Sequence, residues 1–136
     1  MRARLTLIRE LLADLDAVGA IPGTNLEQDR MLRHAVERIL VQLVELSVSA
    51  NGHVAATQLG KAPPDYRSSF DLAADVGMDG ADLARPLRDS IGLRNVLTHE
   101  YVGVDPTRVA ESAALAKTEC AEYLQQVTDW LNGLPS

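Results

Sequence analysis

From Arg2 to Val18, the apolar residues Leu5, Ile8, Leu11, Leu12, Leu15 and Val18 recur every three or four positions. That spacing predicts one face of an amphipathic helix, closed by the Gly19 to Gly23 stretch with its Pro22. Thr24 followed by Glu27 is a capping-box pattern, in which each side chain satisfies a backbone amide at the other's position, and it predicts that a second helix begins there. Met31, Leu32, Ala35, Val36, Ile39, Leu40, Leu43, Val44 and Leu46 continue it as a wide apolar arc. Arg30, His34, Glu37, Arg38, Gln42 and Glu45 mark the opposite side. So wide an arc can meet more than one neighbour, a second subunit among them.

Asn51-Gly52 is a possible break, although Val54 to Leu59 can also prolong the same helix; Gly60-Lys61-Ala62-Pro63-Pro64-Asp65 is the clearest loop. A short helix follows over Tyr66 to Val76, with Phe70, Leu72, Ala73 and Val76 apolar. After Gly77 or Gly80, Asp82 to Leu97 forms the next helix, with Pro86 expected in its first turn, where a missing amide hydrogen does no harm. Asp105-Pro106 pairs a capping carboxylate with proline at the first helical position and opens a last helix to about Leu131. Its stripe is Val109, Ala113, Ala116, Cys120, Leu124, Val127 and Leu131. Nothing alternates with period two over a useful length. The expectation is an all-α fold, an antiparallel up-and-down four-helix bundle with one additional short helix.

Composition narrows the function classes. The chain has 136 residues, 46% of them hydrophobic, which suits one domain spanning residues 1–136. One cysteine, Cys120, rules out an intrachain disulfide, and no Cys/His cluster has the spacing of a zinc site, so no metal is expected. The N-terminus lacks the features of a signal peptide, and no stretch approaches the ~20 apolar residues of a membrane span. A soluble, cytoplasmic protein without a membrane partner is expected. A net charge of −6 argues against a broad basic surface for nucleic acid, yet Arg85, Arg88 and Arg94 could concentrate positive potential locally.

The candidate chemistry sits in Arg94-Asn95-Val96-Leu97-Thr98-His99-Glu100-Tyr101, at a helix end before the turn signals of Val102 to Pro106. Arginine offers planar bidentate hydrogen bonds to phosphate, and histidine exchanges protons near neutrality. Together they suit metal-free RNA cleavage, in which a base takes the 2′-hydroxyl proton, an acid protonates the leaving 5′-oxygen and a cation stabilises the phosphoryl charge. Five helical positions separate Arg94 from His99, a divergence of about 140° at ~100° per residue. Either the helix loosens before His99, or the site draws its groups from two chains about a twofold axis. A structural role is the alternative for the same residues, with Arg94 in a salt bridge and His99 at the carbonyl end of its helix. His34 and His53 fit solvated positions, and Cys120 fits a buried small hydrophobe better than a nucleophile.

The octapeptide matches R-N-x-x-x-H-x-Y and resembles the signature of the HEPN superfamily, specifically the HepT-like toxins of HEPN/MNT toxin–antitoxin modules. The order of the Arg33-to-Leu46 helix, the Pro63-Pro64 loop, the Tyr66-to-Val76 segment and the Asp105-Pro106 helix extends the likeness over nearly the whole chain. The resemblance implies a homodimeric HEPN-like bundle acting as a metal-independent endoribonuclease, the toxin of a type VII-like system, with RNA as substrate and a cleft at the dimer interface. No cofactor is implied. By position, Arg94 and His99 correspond to the catalytic pair, and Asn95 to the polar residue that accompanies the arginine. Tyr101 corresponds to the tyrosine that a cognate MNT-type nucleotidyltransferase antitoxin adenylylates. AMP at that position would oppose RNA binding by charge and bulk. HEPN domains also serve as non-catalytic helical subunits that bind nucleotide or substrate within nucleotidyltransferase complexes, and that is the alternative function.

Overall fold

The computed structural model describes residues 1–19, 26, 28–78, 80–99 and 105–134; the side chains of residues 81, 82, 91, 93, 98 and 99 lie outside that description. Five helices follow one another: α1 (Arg2–Gly19), α2 (Arg30–Leu59), α3 (Tyr66–Asp75), α4 (Ala81–His99) and α5 (Pro106–Asn132). Among the described residues there is no strand.

Four of these helices form the up-and-down bundle, and hydrogen bonds between their ends give the directions. Arg4 near the start of α1 donates to Ser49 of α2 at 2.8 Å, while Arg2 reaches Asn132 at the end of α5 at 3.5 Å. Both neighbours therefore run antiparallel to α1. At the other side, the Gly80 amide preceding α4 donates to Gln126 late in α5 at 2.8 Å, which makes α4 antiparallel to α5. The central element is α2, which packs against each of the other helices, whereas α3 lies across α2 and α4. The core joins Leu5, Ile8, Leu12 and Leu15 of α1 to Val36, Leu40 and Leu43 of α2 and to Val109, Cys120, Tyr123 and Val127 of α5. Except for Tyr123, which the periodicity did not place in the stripe of α5, these residues belong to the apolar faces read from the sequence.

Helix starts follow local hydrogen-bond chemistry. The second helix begins at Arg30, not at Thr24 to Glu27: Asp29 is extended (φ −97°, ψ 91°) and its carboxylate accepts the Leu32 amide, so this short acceptor sets the first turn. Thr24 and Glu27 themselves lie outside the described residues. Asp65 caps α3 by accepting the Ser68 amide at 2.7 Å, and that bond, followed by one from the Ser68 side chain, holds its carboxyl below the usual value. Asp105 accepts the Thr107 amide at 3.0 Å with Pro106 opening α5, as the sequence pattern predicts. Gly60 ends α2 in the left-handed region at φ 63°, a conformation that costs glycine nothing. Pro86 differs from expectation. Because α4 already starts at Ala81, the proline lies in its second turn, where it cannot donate the usual helical bond to the turn before it.

Asn51-Gly52 is no break: α2 continues through it to Leu59. Asn51 is fully buried, and its side-chain oxygen accepts the Tyr123 hydroxyl of α5 at 2.6 Å. The same hydroxyl lies 3.2 Å from the Ser47 carbonyl. Asn51 Nδ2 donates to Ser69 Oγ at 3.2 Å, and Ser69 in turn donates to the Tyr66 carbonyl at 2.7 Å. This buried polar chain ties α2, α3 and α5 together, with Phe70 edge-on to the Tyr123 ring at 6.4 Å. By length and mean hydropathy α2 is also the one described helix able to cross a membrane, but 44% of that stretch is buried within the bundle. Its apolar arc is the bundle's own centre.

Candidate functional site

Arg94 lies in the last turns of α4, and its side chain is only 17% exposed. Three elements hold it. Nε and Nη2 both donate to Oε1 of Glu45 on α2, at 3.2 and 2.5 Å, forming an ion pair with a half-exposed carboxylate. Nη1 donates to Oδ1 of Asn95 at 3.2 Å. The guanidinium also stacks over the Tyr66 ring of α3, 5.0 Å from its centroid. Arg94 therefore takes part in the salt bridge that a structural role requires, yet it keeps its plane fixed at the surface. A guanidinium with restricted rotamers loses less entropy when it binds a phosphate.

The motif separates into a described and an undescribed part. Arg94 and Asn95 are in direct contact. His99 is the final residue of α4, whose backbone stays helical up to it; its side chain lies outside the described residues. A loosening of the helix before the histidine is thus not seen, and the angular divergence from Arg94 persists along the backbone. Tyr101 also lies outside the described residues.

A cleft of about 390 Å³ opens beside this helix end, between α2, α4 and α5. Leu40, Leu43, Leu87 and Leu97 supply its apolar wall, and Arg94 and Arg108 its positive charges. Asp89 and Glu119 oppose them, and burial, then the Asp89 charge, raises the Glu119 carboxyl above its usual value. The expected run of positive potential along α4 is weaker than the arginine count suggests: Arg88 pairs with Asp71 at 3.4 Å and Arg94 with Glu45.

Cys120 is buried, and desolvation pushes its thiol up to about 12, which leaves it protonated and inert as the sequence reading holds. His34 and His53 are exposed on α2. Sequence reasoning missed Glu45 and Tyr66. Glu45 was one polar residue among several on the outer face of α2, 49 positions from Arg94, and Tyr66 showed only as a helix's first residue. Nothing local distinguishes either.

Known proteins share both sequence and fold with the chain. It is 27% identical over 96 residues to the tRNA nuclease HepT of Aphanizomenon flos-aquae, an alignment covering 70% of this chain and 65% of that protein. It is 29% identical over 79 residues to the mRNA nuclease HepT of Shewanella oneidensis, covering 58% and 59% respectively. The aligned stretch thus spans less than two thirds of either relative. In fold, the Shewanella oneidensis HEPN toxin, solved tri-AMPylated and in complex with its MNT antitoxin, superposes with a TM-score of 0.83 at 20% identity, over 93% of this chain and 95% of that one. The cytosolic protein YutE of Bacillus subtilis superposes with a TM-score of 0.81 at 19% identity, over 99% and 92%. The family model described as Ribonuclease HepT-like matches residues 5–127, so that the five-helix core and the Arg94–Asn95 end of α4 fall inside it, and the chain belongs to the HepT-like ribonuclease family.

Proposed function

We infer that this protein is the toxin of a HEPN/MNT toxin–antitoxin pair, a metal-independent endoribonuclease formed by one HEPN-like domain over residues 1–136. The observation that carries the reading is the arginine of the motif, held by Glu45, Asn95 and Tyr66 at the rim of a cleft in a chain of this family. Arg94 binds the scissile phosphate and stabilises the charge that develops on its oxygens. His99 carries the proton to the leaving 5′-oxygen, and Asn95 orients the guanidinium through its hydrogen bond. Because α4 stays helical up to His99, positions 94 and 99 stand about 140° apart around its axis, and a homodimer that brings two helix ends into one cleft supplies the convergence. A cognate nucleotidyltransferase antitoxin in the same cytoplasm silences the site by adding AMP to Tyr101. The relatives support that partner: the Shewanella toxin was solved AMPylated in complex with an MNT antitoxin.

The test is cleavage of total cellular RNA by purified protein in excess EDTA, with His99→Ala alongside and the product ends analysed. Cutting that leaves 2′,3′-cyclic phosphate and disappears in the variant is expected. Cleavage undiminished in His99→Ala refutes the assigned mechanism. No cutting by clean, unmodified protein moves the reading to a non-catalytic binding subunit of a nucleotidyltransferase complex.

A further inference from the structure

We propose that Glu45 is a catalytic residue of this site, the general base that takes the 2′-hydroxyl proton of RNA. This rests on the ribonuclease reading above and adds to it the proton acceptor that Arg94, always protonated, cannot be.

The geometry of the ion pair carries the argument. A carboxylate whose task is only to neutralise an arginine commonly meets it fork to fork, each oxygen taking one N–H. Glu45 does otherwise: Nε and Nη2 of Arg94 both converge on Oε1. Among the described residues, Oε2 accepts no hydrogen bond, and the side chain is 44% exposed. One oxygen is thereby anchored on the guanidinium, on a carboxylate that is itself half-exposed. A base has to sit within hydrogen-bond reach of the proton it removes while a cation holds the neighbouring phosphate, and this pair offers both at one point. Among the described residues, Arg94 of α4, itself stacked on Tyr66 of α3, is the charged group that pairs with Glu45.

The step balances without a further reactant. Oε2 of Glu45 accepts the 2′-hydroxyl proton as the 2′-oxygen attacks phosphorus. The bond from phosphorus to the 5′-oxygen breaks, and that oxygen takes a proton from the His99 imidazolium. The products are a 2′,3′-cyclic phosphate and a 5′-hydroxyl end, with Glu45 protonated and His99 neutral until water exchanges the two protons back. Acid and base are then different residue types, so the cleft does not need one histidine for each role.

Glu45→Gln tests this directly, because the amide oxygen still accepts from Arg94 but cannot take a proton. Steady-state cleavage of a short RNA, measured from pH 4 to 9 for wild type, Glu45→Gln and Glu45→Asp, supplies the readout. Circular dichroism and binding of a 2′-deoxy analogue confirm that fold and affinity are intact. The expected result is a loss of about 10²- to 10⁴-fold in kcat for Glu45→Gln with KM within about twofold, and an intermediate rate for Glu45→Asp. The acid limb of the wild-type rate should not lie near ~6.5, where a second histidine acting as the base would place it. Glu45→Gln that cuts at the wild-type rate or faster, or a wild-type acid limb near ~6.5, overturns the assignment while leaving the ribonuclease reading in place. Wild type that does not cut at all overturns that reading, and this one with it.

Discussion

Replacing Tyr123 by phenylalanine removes a single oxygen from the centre of the bundle, and its cost can be worked out from what that oxygen holds. Tyr123 and Asn51 are both fully buried, and the hydroxyl donates to Asn51 Oδ1 at 2.6 Å. Losing a hydrogen bond whose two partners both return to water costs roughly 1 kcal/mol, but an acceptor left buried without its donor costs about 1–3 kcal/mol. Asn51 cannot turn outward, because its Nδ2 is engaged by Ser69 in the same buried chain. The expected destabilisation is therefore about 1–3 kcal/mol, or a fall in Tm of roughly 4 °C per kcal/mol for a chain of this size. Urea and thermal unfolding of the purified variant measure it, with an unchanged m-value showing that the unfolded state is unaltered. Adding Asn51→Leu removes the orphaned acceptor. The double variant should be less destabilised than the sum of the singles by about 1 kcal/mol, the coupling expected of direct partners. A Tyr123→Phe protein within ~0.5 kcal/mol of wild type, or strict additivity in the double, refutes the claim that this buried polar chain ties the helices together.

Tyr66→Phe keeps the ring under Arg94 and should bind a non-cleavable RNA within about twofold of wild type, whereas Tyr66→Ala should bind about two- to fivefold more weakly, the value of an exposed cation–π contact of ~0.5–1 kcal/mol. Fluorescence anisotropy reads both, and equal affinities would show that the stack does not orient the guanidinium. Cys120 should not react with an aromatic disulfide reagent at pH 8 in the native protein and should react fully in denaturant. Because burial raises its folded value to about 12, its contribution to stability is complete below the unfolded value near 9 and is lost as pH rises toward 12. Cys120→Ala should accordingly lose less stability than wild type between those limits, and parallel pH–stability curves would contradict it.

Periodicity alone carried the helices, because an amphipathic stripe records burial one residue at a time. Leu5, Ile8, Leu12 and Leu15 are buried on α1 as their spacing demands, and the Asp65 and Asp105 caps act through bonds two or three residues away. The motif was legible for the same reason, being contiguous. Where local signals compete, the sequence could not choose. Thr24-to-Glu27 and Asp29 each offer a start for α2, and Asn51-Gly52 reads as a break until Tyr123, 72 positions on, supplies the buried hydroxyl that satisfies Asn51. The surroundings of Arg94 belong wholly to the tertiary structure. Glu45 and Tyr66 stand on two other helices, and only the packing of α2, α3 and α4 brings a carboxylate and a ring to the same guanidinium. Contacts between distant positions leave no periodic trace in a single chain, so the motif arginine could be named from its neighbours in sequence, but its partners only from its neighbours in space.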